Sequence, residues 1–318
     1  MSEETTRAGT VALVGRPNVG KSTLLNAVLG EKIAATTHKP QTTRRQLRGI
    51  LTREDAQYVF VDTPGLIKSA RGLDAFMIEE ALDAARGVDV IALLVEARLD
   101  KRGEEGPRAT IDRRDEEALA TLARAGTAER VVLVINKIDA LPDRALLLPL
   151  IAEWRDKHEF DAIVPVSAAK RDGIDALLDV LGARLPEGPF LFPPDTLTDA
   201  PERDIAAELI REKAMLELAD EIPYKVAVQV EGFDESRRDD PTKPLVRVQA
   251  VIHVERESQK RIVVGKGGER IKTIGTRARK ELERLLGCQV MLTLFVHVEP
   301  GWTTSDKGMR KVGYVPRR

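Results

Sequence analysis

The sequence carries one cysteine in 318 residues, Cys288. A single thiol excludes an internal disulfide framework and suits a reducing compartment, where its expected role is that of a buried free thiol. Net charge is nearly absent: 50 Lys and Arg stand against 51 Asp and Glu, a formal balance of −1. The chain as a whole is therefore no polycation, and any surface for nucleic acid has to be local. The first residues, Met1 to Thr10, are polar and lack the apolar stretch of a secretion signal. The longest apolar runs, such as Val90 to Val95, have strand length, far short of the roughly 18 residues a membrane span requires. These absences predict a cytoplasmic protein.

What is present suits a globular protein with proper cores: 42% hydrophobic and 32% charged residues. The length predicts about two domains. The chain is organised around Gly15-Arg16-Pro17-Asn18-Val19-Gly20-Lys21-Ser22. An apolar run, Val11 to Val14, precedes it as a buried strand. Thr23 to Leu29 follows, with Leu24, Ala27 and Val28 on one helical face. Strand, glycine loop and helix form the context that makes G-x-x-x-x-G-K-S a phosphate-binding loop. Gly15 and Gly20 let the backbone turn its N–H groups toward phosphate oxygens, and the new helix adds its positive end. Lys21 would sit on the β- and γ-phosphates and Ser22 on Mg²⁺.

Ile33 to Arg48 is polar, with Gln41-Thr42-Thr43-Arg44 at its centre. A loop here can reach the γ-phosphate and its metal, and it reads equally as a solvated loop. The strand Gln57 to Val61 runs into Asp62-Thr63-Pro64-Gly65. Asp62 at a strand end suits a Mg²⁺ ligand acting through water, and Gly65 can offer a backbone N–H to the γ-phosphate. Asp74 to Arg86 predicts an amphipathic helix and Asp89 to Val95 a buried strand. Arg98 to Arg114 reads as an exposed charged loop that touches no motif, and Glu116 to Ala125 as a helix. The apolar strand Val131 to Ile135 ends in Asn136-Lys137-Ile138-Asp139. A carboxylate at Asp139 can accept from N1–H and the 2-amino group of guanine; adenine has no such pair, and a mispaired site leaves buried polar groups unsatisfied. Asn136 would bond loop backbone and the base edge, and the Lys137 stem would cover the ring. After the strand Ala162 to Val166, Ser167-Ala168-Ala169-Lys170 can bring the Ala168 N–H to the guanine O6. Ile174 to Leu185 predicts a closing helix.

Five prolines between Leu185 and Arg203 mark a semi-rigid linker. The second half differs in pattern. Asp204 to Ala219 predicts a helix with Ile205, Leu209 and Leu216 on one face, and Tyr224 to Phe233 and Val246 to Val254 alternate as strands. Lys260 to Val264, Gly265-Lys266-Gly267-Gly268 and Glu269 to Lys272 come next. A helix from Thr276 to Leu286 and a strand from Val290 to Val298 end the series. Residues 256–284 hold ten Lys/Arg and four Asp/Glu, net +6 in a chain of net −1. Glycines in G-x-x-G let a sugar-phosphate backbone approach, and single-stranded bases lie along the adjoining groove. Trp302 and Tyr314 stand among basic residues of the tail, and Trp302 is expected to pack rather than to stack on a base.

The first half resembles the guanine-nucleotide-binding proteins in its five boxes, Gly15–Ser22, Thr42/Thr43, Asp62–Gly65, Asn136–Asp139 and Ser167–Lys170. The second half resembles a type II KH domain. With QTTR, DTPG, NKID and GKGG in place, the whole is similar to the bacterial Era GTPases. The resemblance implies an α/β P-loop GTPase domain, with a doubly wound, mostly parallel sheet, followed by an α+β type II KH domain. The corresponding division is a flexible N-terminus (1–9), a GTP-binding domain (10–185), a linker (186–203) and a KH domain with its tail (204–318). It implies a GTPase using Mg²⁺, with Lys21, Thr43 and Gly65 in catalysis and Ser22, Thr43 and Asp62 at the metal. The GTP contacts would come from Gly15, Arg16, Pro17, Asn18, Val19, Gly20, Lys21, Ser22, Thr23, Asp62, Thr63, Pro64, Gly65, Leu66, Asn136, Lys137, Asp139, Ser167 and Ala168. RNA would meet Lys260, Arg261, Gly265, Lys266, Gly267, Gly268, Arg270 and Lys272. The implied partners are the 3′ region of 16S ribosomal RNA and the 30S subunit, whose assembly such proteins assist, with a peripheral contact at the inner face of the membrane; a monomer is expected. Leu66 and Ile67 stand where Ras-like proteins hold a water-orienting glutamine. Asn18 resembles the residue that ligates K⁺ in potassium-activated members of the superfamily, and as an alternative it only braces the loop. Two other classes are an ATP-using P-loop kinase, opposed by Asn136–Asp139, and a GTP-gated signalling protein with a protein or membrane partner, opposed by the basic G-x-x-G segment.

Overall fold

The computed structural model describes residues 6–66, 71–100, 108–127 and 130–315. They divide into two compact units. The first takes in residues up to 31, from 43, and from 77 to 199; the second takes in 32–42, the described residues before 77, and 200 onward.

The first unit is built on six strands: β1 (Arg7–Val14), β2 (Leu47–Thr52), β3 (Ala56–Asp62), β4 (Val90–Glu96), β7 (Val131–Asn136) and β8 (Ala162–Pro165). Their order is β2-β3-β1-β4-β7-β8. All neighbours run parallel except β2, which is antiparallel to β3. Continuous apolar strands such as β4 and β7 occur because both faces of a parallel sheet are covered. Helices α1 (Lys21–Leu29), α2 (Gly72–Arg86), α3 (Arg113–Arg124) and α4 (Leu147–Lys157) connect them, and α5 (Ile174–Gly182) follows β8. One core places Val14, Leu93, Ile135, Leu122 and Trp154 together. The chain leaves β1 toward β3 on one side and β4 on the other. The carboxyl end of β1 is therefore the topological switch point, where such sheets bind ligands.

The second unit holds α6 (Glu202–Glu217), β9 (Ala227–Arg237), β10 (Leu245–Val254), α7 (Glu257–Val264), α8 (Glu269–Leu286), β11 (Gln289–Val298) and α9 (Asp306–Lys311). Its sheet is β11-β10-β9, with β11 parallel and β9 antiparallel to β10. Ile205, Leu209, Val248 and Leu282 form one core, and Ala214, Ile252, Val263 and Ile274 another.

Several sequence-based expectations need correction. β1 starts at Arg7, so residues 7–9 are not a flexible end. β2 was not expected at all: Arg48 and Gly49 interrupt its pattern, and its register comes from β3. The charged segment from Arg98 is not loop throughout, for β5 (Arg98–Asp100) pairs antiparallel with β6 (Arg108–Thr110). The proline-rich segment after α5 is anchored to the first unit. The buried Gln57 accepts from Leu191 N–H (2.7 Å) and Phe192 N–H (2.9 Å), and the Leu197 carbonyl accepts from Ile50 N–H at 2.8 Å. On α6 the buried residues include Ile205, Leu209, Ile210 and Ala214, whereas Leu216 is exposed. α8 runs unbroken through Gly275, not as two pieces. Cys288 is only half-buried at the margin of a core. Trp302 is fully buried, stacks on Tyr314 at 5.8 Å, and donates from Nε1 to the Lys225 carbonyl at 3.1 Å.

Candidate functional site

The phosphate loop bends where its glycines allow it. Gly15 has φ +149°, and a Cβ there would lie 2.3 Å from the Leu94 carbonyl oxygen. Gly20 has φ +104° and ends at the N-terminus of α1. Lys21 is buried, and its Nζ donates to the carbonyls of Gly15 and Arg16, each at 3.0 Å. Burial drives its pKa down to about 8; the Asp62 charge opposes that shift and Arg16 adds to it.

Three oxygens converge beside Lys21. Ser22 Oγ donates to Asp62 Oδ2 (2.7 Å), Thr43 Oγ1 donates to the same oxygen (3.1 Å), and the two hydroxyls are 2.8 Å apart. Asp62 is fully buried and its Oδ1 has no hydrogen-bond partner among the described residues. Burial raises its carboxyl above the ordinary range, against the pull of Lys21 and the two hydroxyls. An orphaned carboxylate oxygen beside two hydroxyls is a donor set for a hard divalent cation. The Asp62–Gly65 segment is tied to the phosphate loop: Leu66 N–H donates to the Gly15 carbonyl at 3.1 Å, and Thr63 Oγ1 donates to the Leu13 carbonyl at 2.8 Å. Gly65 lies against Pro17 with no room for a side chain. Leu66 is buried; Ile67 lies outside the described residues.

Asn136 links three motifs. Its Nδ2 donates to the Val19 carbonyl at 2.8 Å, and its Oδ1 accepts from Ala168 N–H at 3.0 Å. Ser167 Oγ donates to Asp139 Oδ1, which fixes the carboxylate. Lys137 takes a left-handed backbone, φ +63°. Thus the structure brings Gly15–Ser22, Thr43, Asp62–Leu66, Asn136–Asp139 and Ser167–Ala168 to one end of the sheet.

Sequence reasoning missed the carboxylates around Arg16. The segment expected to touch no motif does touch one: Asp112 lies 3.8 Å and Asp115, the third residue of α3, 2.7 Å from the Arg16 guanidinium. Burial pushes Asp115 up to about 6, against the Arg16 charge. Hydrogen bonds from Arg114 hold Asp112 well below the carboxylate range. Glu96, ending β4, meets Arg16 at 2.6 Å and Lys137 at 3.3 Å. An acidic residue in a first helical turn reads from sequence as a complement to the helix dipole, so nothing local pointed to Arg16.

In the second unit, α6 binds the 32–42 segment. Glu212 accepts from Thr36 N–H at 3.0 Å and from Lys32 Nζ at 2.8 Å, and the buried Arg211 donates to the Thr42 carbonyl. Elsewhere in this unit the Gly265–Gly268 turn joins α7 to α8. Gly267 (φ +60°) and Gly268 (φ +81°) face open space. Gly265 packs against Arg270, whose Nη1 donates to the Ile262 carbonyl at 2.7 Å. Among the described residues, Lys260, Arg261, Lys266 and Lys272 have no ion pair, whereas Arg277 and Arg279 farther along α8 pair with Glu217 and Glu283. The glycine turn is thus flanked by cations that have no ion pair among the described residues.

Residues 10–137 match the family of 50S ribosome-binding GTPases and residues 221–303 match the KH domain family. The class is therefore a GTPase carrying a KH domain. "GTPase Era" of Geobacter metallireducens is 46% identical over 314 residues, 99% of this chain and 100% of that one. "GTPase Era" of Stenotrophomonas maltophilia is 43% identical over 316 residues, again 99% and 100%. A crystal structure of an Aquifex aeolicus Era variant bound to GDP·AlF4⁻ superposes with TM-score 0.85 at 39% identity, covering 98% of this chain and 100% of that one. An Era complex with MgGDPNP and nucleotides 1506–1542 of 16S ribosomal RNA gives TM-score 0.85 at 39% identity, with coverage of 98% and 99%. The chain belongs to the Era GTPase family.

Proposed function

We propose that this GTPase is a nucleotide-dependent switch that binds the 3′ region of 16S ribosomal RNA through its KH domain and assists assembly of the 30S subunit. The observation that carries the reading is the set of uncompensated cations, Lys260, Arg261, Lys266 and Lys272, around a glycine turn open to solvent. Gly265, Gly267, Gly268 and Arg270 shape that turn, and a sugar-phosphate backbone fits there. The same feature favours RNA over the alternative of a GTP-gated protein acting on a membrane or protein partner. A related protein was crystallised with a 16S fragment, which supports the choice of RNA. The GTP-binding domain would span 10–185 and the KH domain 204–318, joined by 186–203.

In the proposed GTP site, Lys21 holds the β- and γ-phosphates, and the backbone of Gly15–Thr23, with Arg16, Pro17, Asn18 and Val19, cradles them. Gly65 offers its N–H to the γ-phosphate, with Thr63, Pro64 and Leu66 setting that loop. Asp139 reads guanine, Lys137 covers the ring, and Asn136, Ser167 and Ala168 complete the base site. Ser22, Thr43 and Asp62 would hold Mg²⁺, which supplies charge neutralisation at the phosphates when bound. Leu66 cannot orient water, so the attacking water depends on backbone, partner or ion; Asn18 as a K⁺ ligand is one such arrangement, tested by GTP turnover in K⁺ and Na⁺ at equal ionic strength. The setting is cytoplasmic, as a monomer, with peripheral contact at the inner membrane face.

The test is crosslinking of the intact protein to 16S RNA with peptide mapping. The expected adducts lie in 256–284. Adducts confined to other segments would refute the RNA assignment.

A further inference from the structure

The most developed polar cluster outside the five motifs stands between two of them. Glu96 is the last residue of β4 and pairs in register with Asn136 of β7. It therefore sits beside the base-binding segment, while the neighbouring β1 leads into the phosphate loop. Its two carboxylate oxygens face different partners. Oε2 accepts from Arg16 Nη2 at 2.6 Å, and Oε1 meets Lys137 Nζ at 3.3 Å. Asp115 closes the other side of the cluster. Its Oδ1 lies 2.7 Å from Arg16 Nε, and its Oδ2 accepts from the Glu96 backbone N–H at 3.4 Å. The Arg16 side chain is only 7% exposed. Carboxylates flank its guanidinium on two sides, Glu96 through a hydrogen bond and Asp115 at ion-pair distance without an aligned hydrogen bond.

We propose that Glu96 is a positioning residue for the guanine nucleotide: one carboxylate fixes the phosphate loop through Arg16 and the base loop through Lys137, and so sets the span between the two. The inference rests on the reading that these loops bind GTP. A nucleotide has a fixed chemistry at each end, so loops already held at the right separation need less ordering on binding. The Lys137 ammonium is tied down by Glu96, which leaves its methylene stem to lie across the base. Charge-assisted bonds of this kind are stronger than neutral ones. Neither partner of Glu96 need contact the γ-phosphate, so the device acts on GDP and GTP alike.

Glu96→Gln tests it. A glutamine has one acceptor oxygen, and its amide NH₂ confronts whichever cation the oxygen does not meet. One of the two ties must fail. With fluorescent GDP and GTP analogues at fixed Mg²⁺ and salt, both dissociation constants should rise by the same factor, on the order of tenfold, mainly through faster release. In a Lys137→Met background the effect of Glu96→Gln should shrink to below about threefold, because coupled residues are not additive. A purely structural role would leave the effect undiminished there. Unchanged affinity, a loss confined to GTP, or a full effect persisting in Lys137→Met would each overturn the proposal. Glu96→Asp keeps the charge on a shorter stem and serves if Glu96→Gln fails to fold; it should weaken both nucleotides, and wild-type affinity would overturn the proposal. Asp139→Asn separates the two levels: if it also left guanine nucleotide binding intact, the site reading itself would fail.

Discussion

Replacing Gly65 by alanine probes how closely the Asp62–Gly65 segment must approach the phosphate loop. A Cβ at this position stands 2.6 Å from both the backbone nitrogen and Cγ of Pro17, and 2.7 Å from its Cδ. Ordinary contact begins at 3.4 Å, so the loops must part by about 0.8 Å (3.4 − 2.6) to restore van der Waals separation. Pro17 cannot swing aside, because its ring includes the backbone nitrogen. The separation stretches the bond from Leu66 N–H to the Gly15 carbonyl, now 3.1 Å. A displacement near 1 Å in groups that place the reacting atoms costs about 10²-fold in rate. Gly65→Ala should therefore lower kcat for GTP hydrolysis about 100-fold, ~2.7 kcal/mol of barrier. GDP has no γ-phosphate for this loop to meet, and its affinity should change less than about threefold, under ~0.7 kcal/mol. Single-turnover hydrolysis at saturating GTP and titration with labelled GDP measure the two. A kcat within about threefold of wild type would refute the reasoning.

Nucleotide binding should take up a proton at alkaline pH. Lys21 has its pKa lowered to about 8 by burial, and phosphates favour the charged form and raise it. The Lys21 contribution to affinity should be fully present below pH 7 and be lost as pH rises through 8; calorimetry in buffers of different ionisation enthalpy should find about 0.9 proton absorbed at pH 9. No uptake at pH 9 would show that Lys21 does not meet the phosphates. Asp139→Asn exchanges an acceptor for a group that can donate, and should move preference from guanine to xanthine nucleotides; competition binding measures it, and unchanged GTP affinity would remove Asp139 from the base site. Asp115→Asn should abolish any pH dependence of GDP affinity centred near 6, where burial places the Asp115 carboxyl; protonation below that pH weakens its hold on Arg16, so wild-type affinity should fall toward acid.

The nucleotide motifs were legible because each is local: a glycine loop before a helix, an aspartate at a strand end, a carboxylate after Asn136-Lys137. Their order along an alternating chain also implied the sheet. What escaped notice depends on tertiary placement. The role of Asp115 exists only because α3 brings it within 2.7 Å of Arg16. β2 has one apolar, one glycine and one charged residue near its centre, and pairing with β3 decides it. The prolines after α5 read as a semi-rigid linker, and nothing in them showed that Gln57 would bind the backbone of Leu191 and Phe192. The segments 269–272 and 276–286 are one helix: a Cβ at Gly275 would meet Leu294 only at 3.4 Å, an ordinary contact, and α8 runs through it. Arg211 is charged on a helix and would be placed in solvent from sequence, yet it is fully buried with its guanidinium on the Thr42 carbonyl.

The most direct test of the central claim, a GTPase whose KH domain binds ribosomal RNA, is the double substitution Lys266→Asp with Gly267→Asp. It sets two negative charges at the exposed turn where Lys266 has no ion pair among the described residues and Gly267 faces open space. Measured at one physiological salt concentration, since phosphate contacts are strongly salt-dependent, affinity for the 3′ region of 16S RNA should fall at least tenfold, about 1.4 kcal/mol, while GTP binding is retained. Wild-type RNA affinity in the double variant would contradict the account.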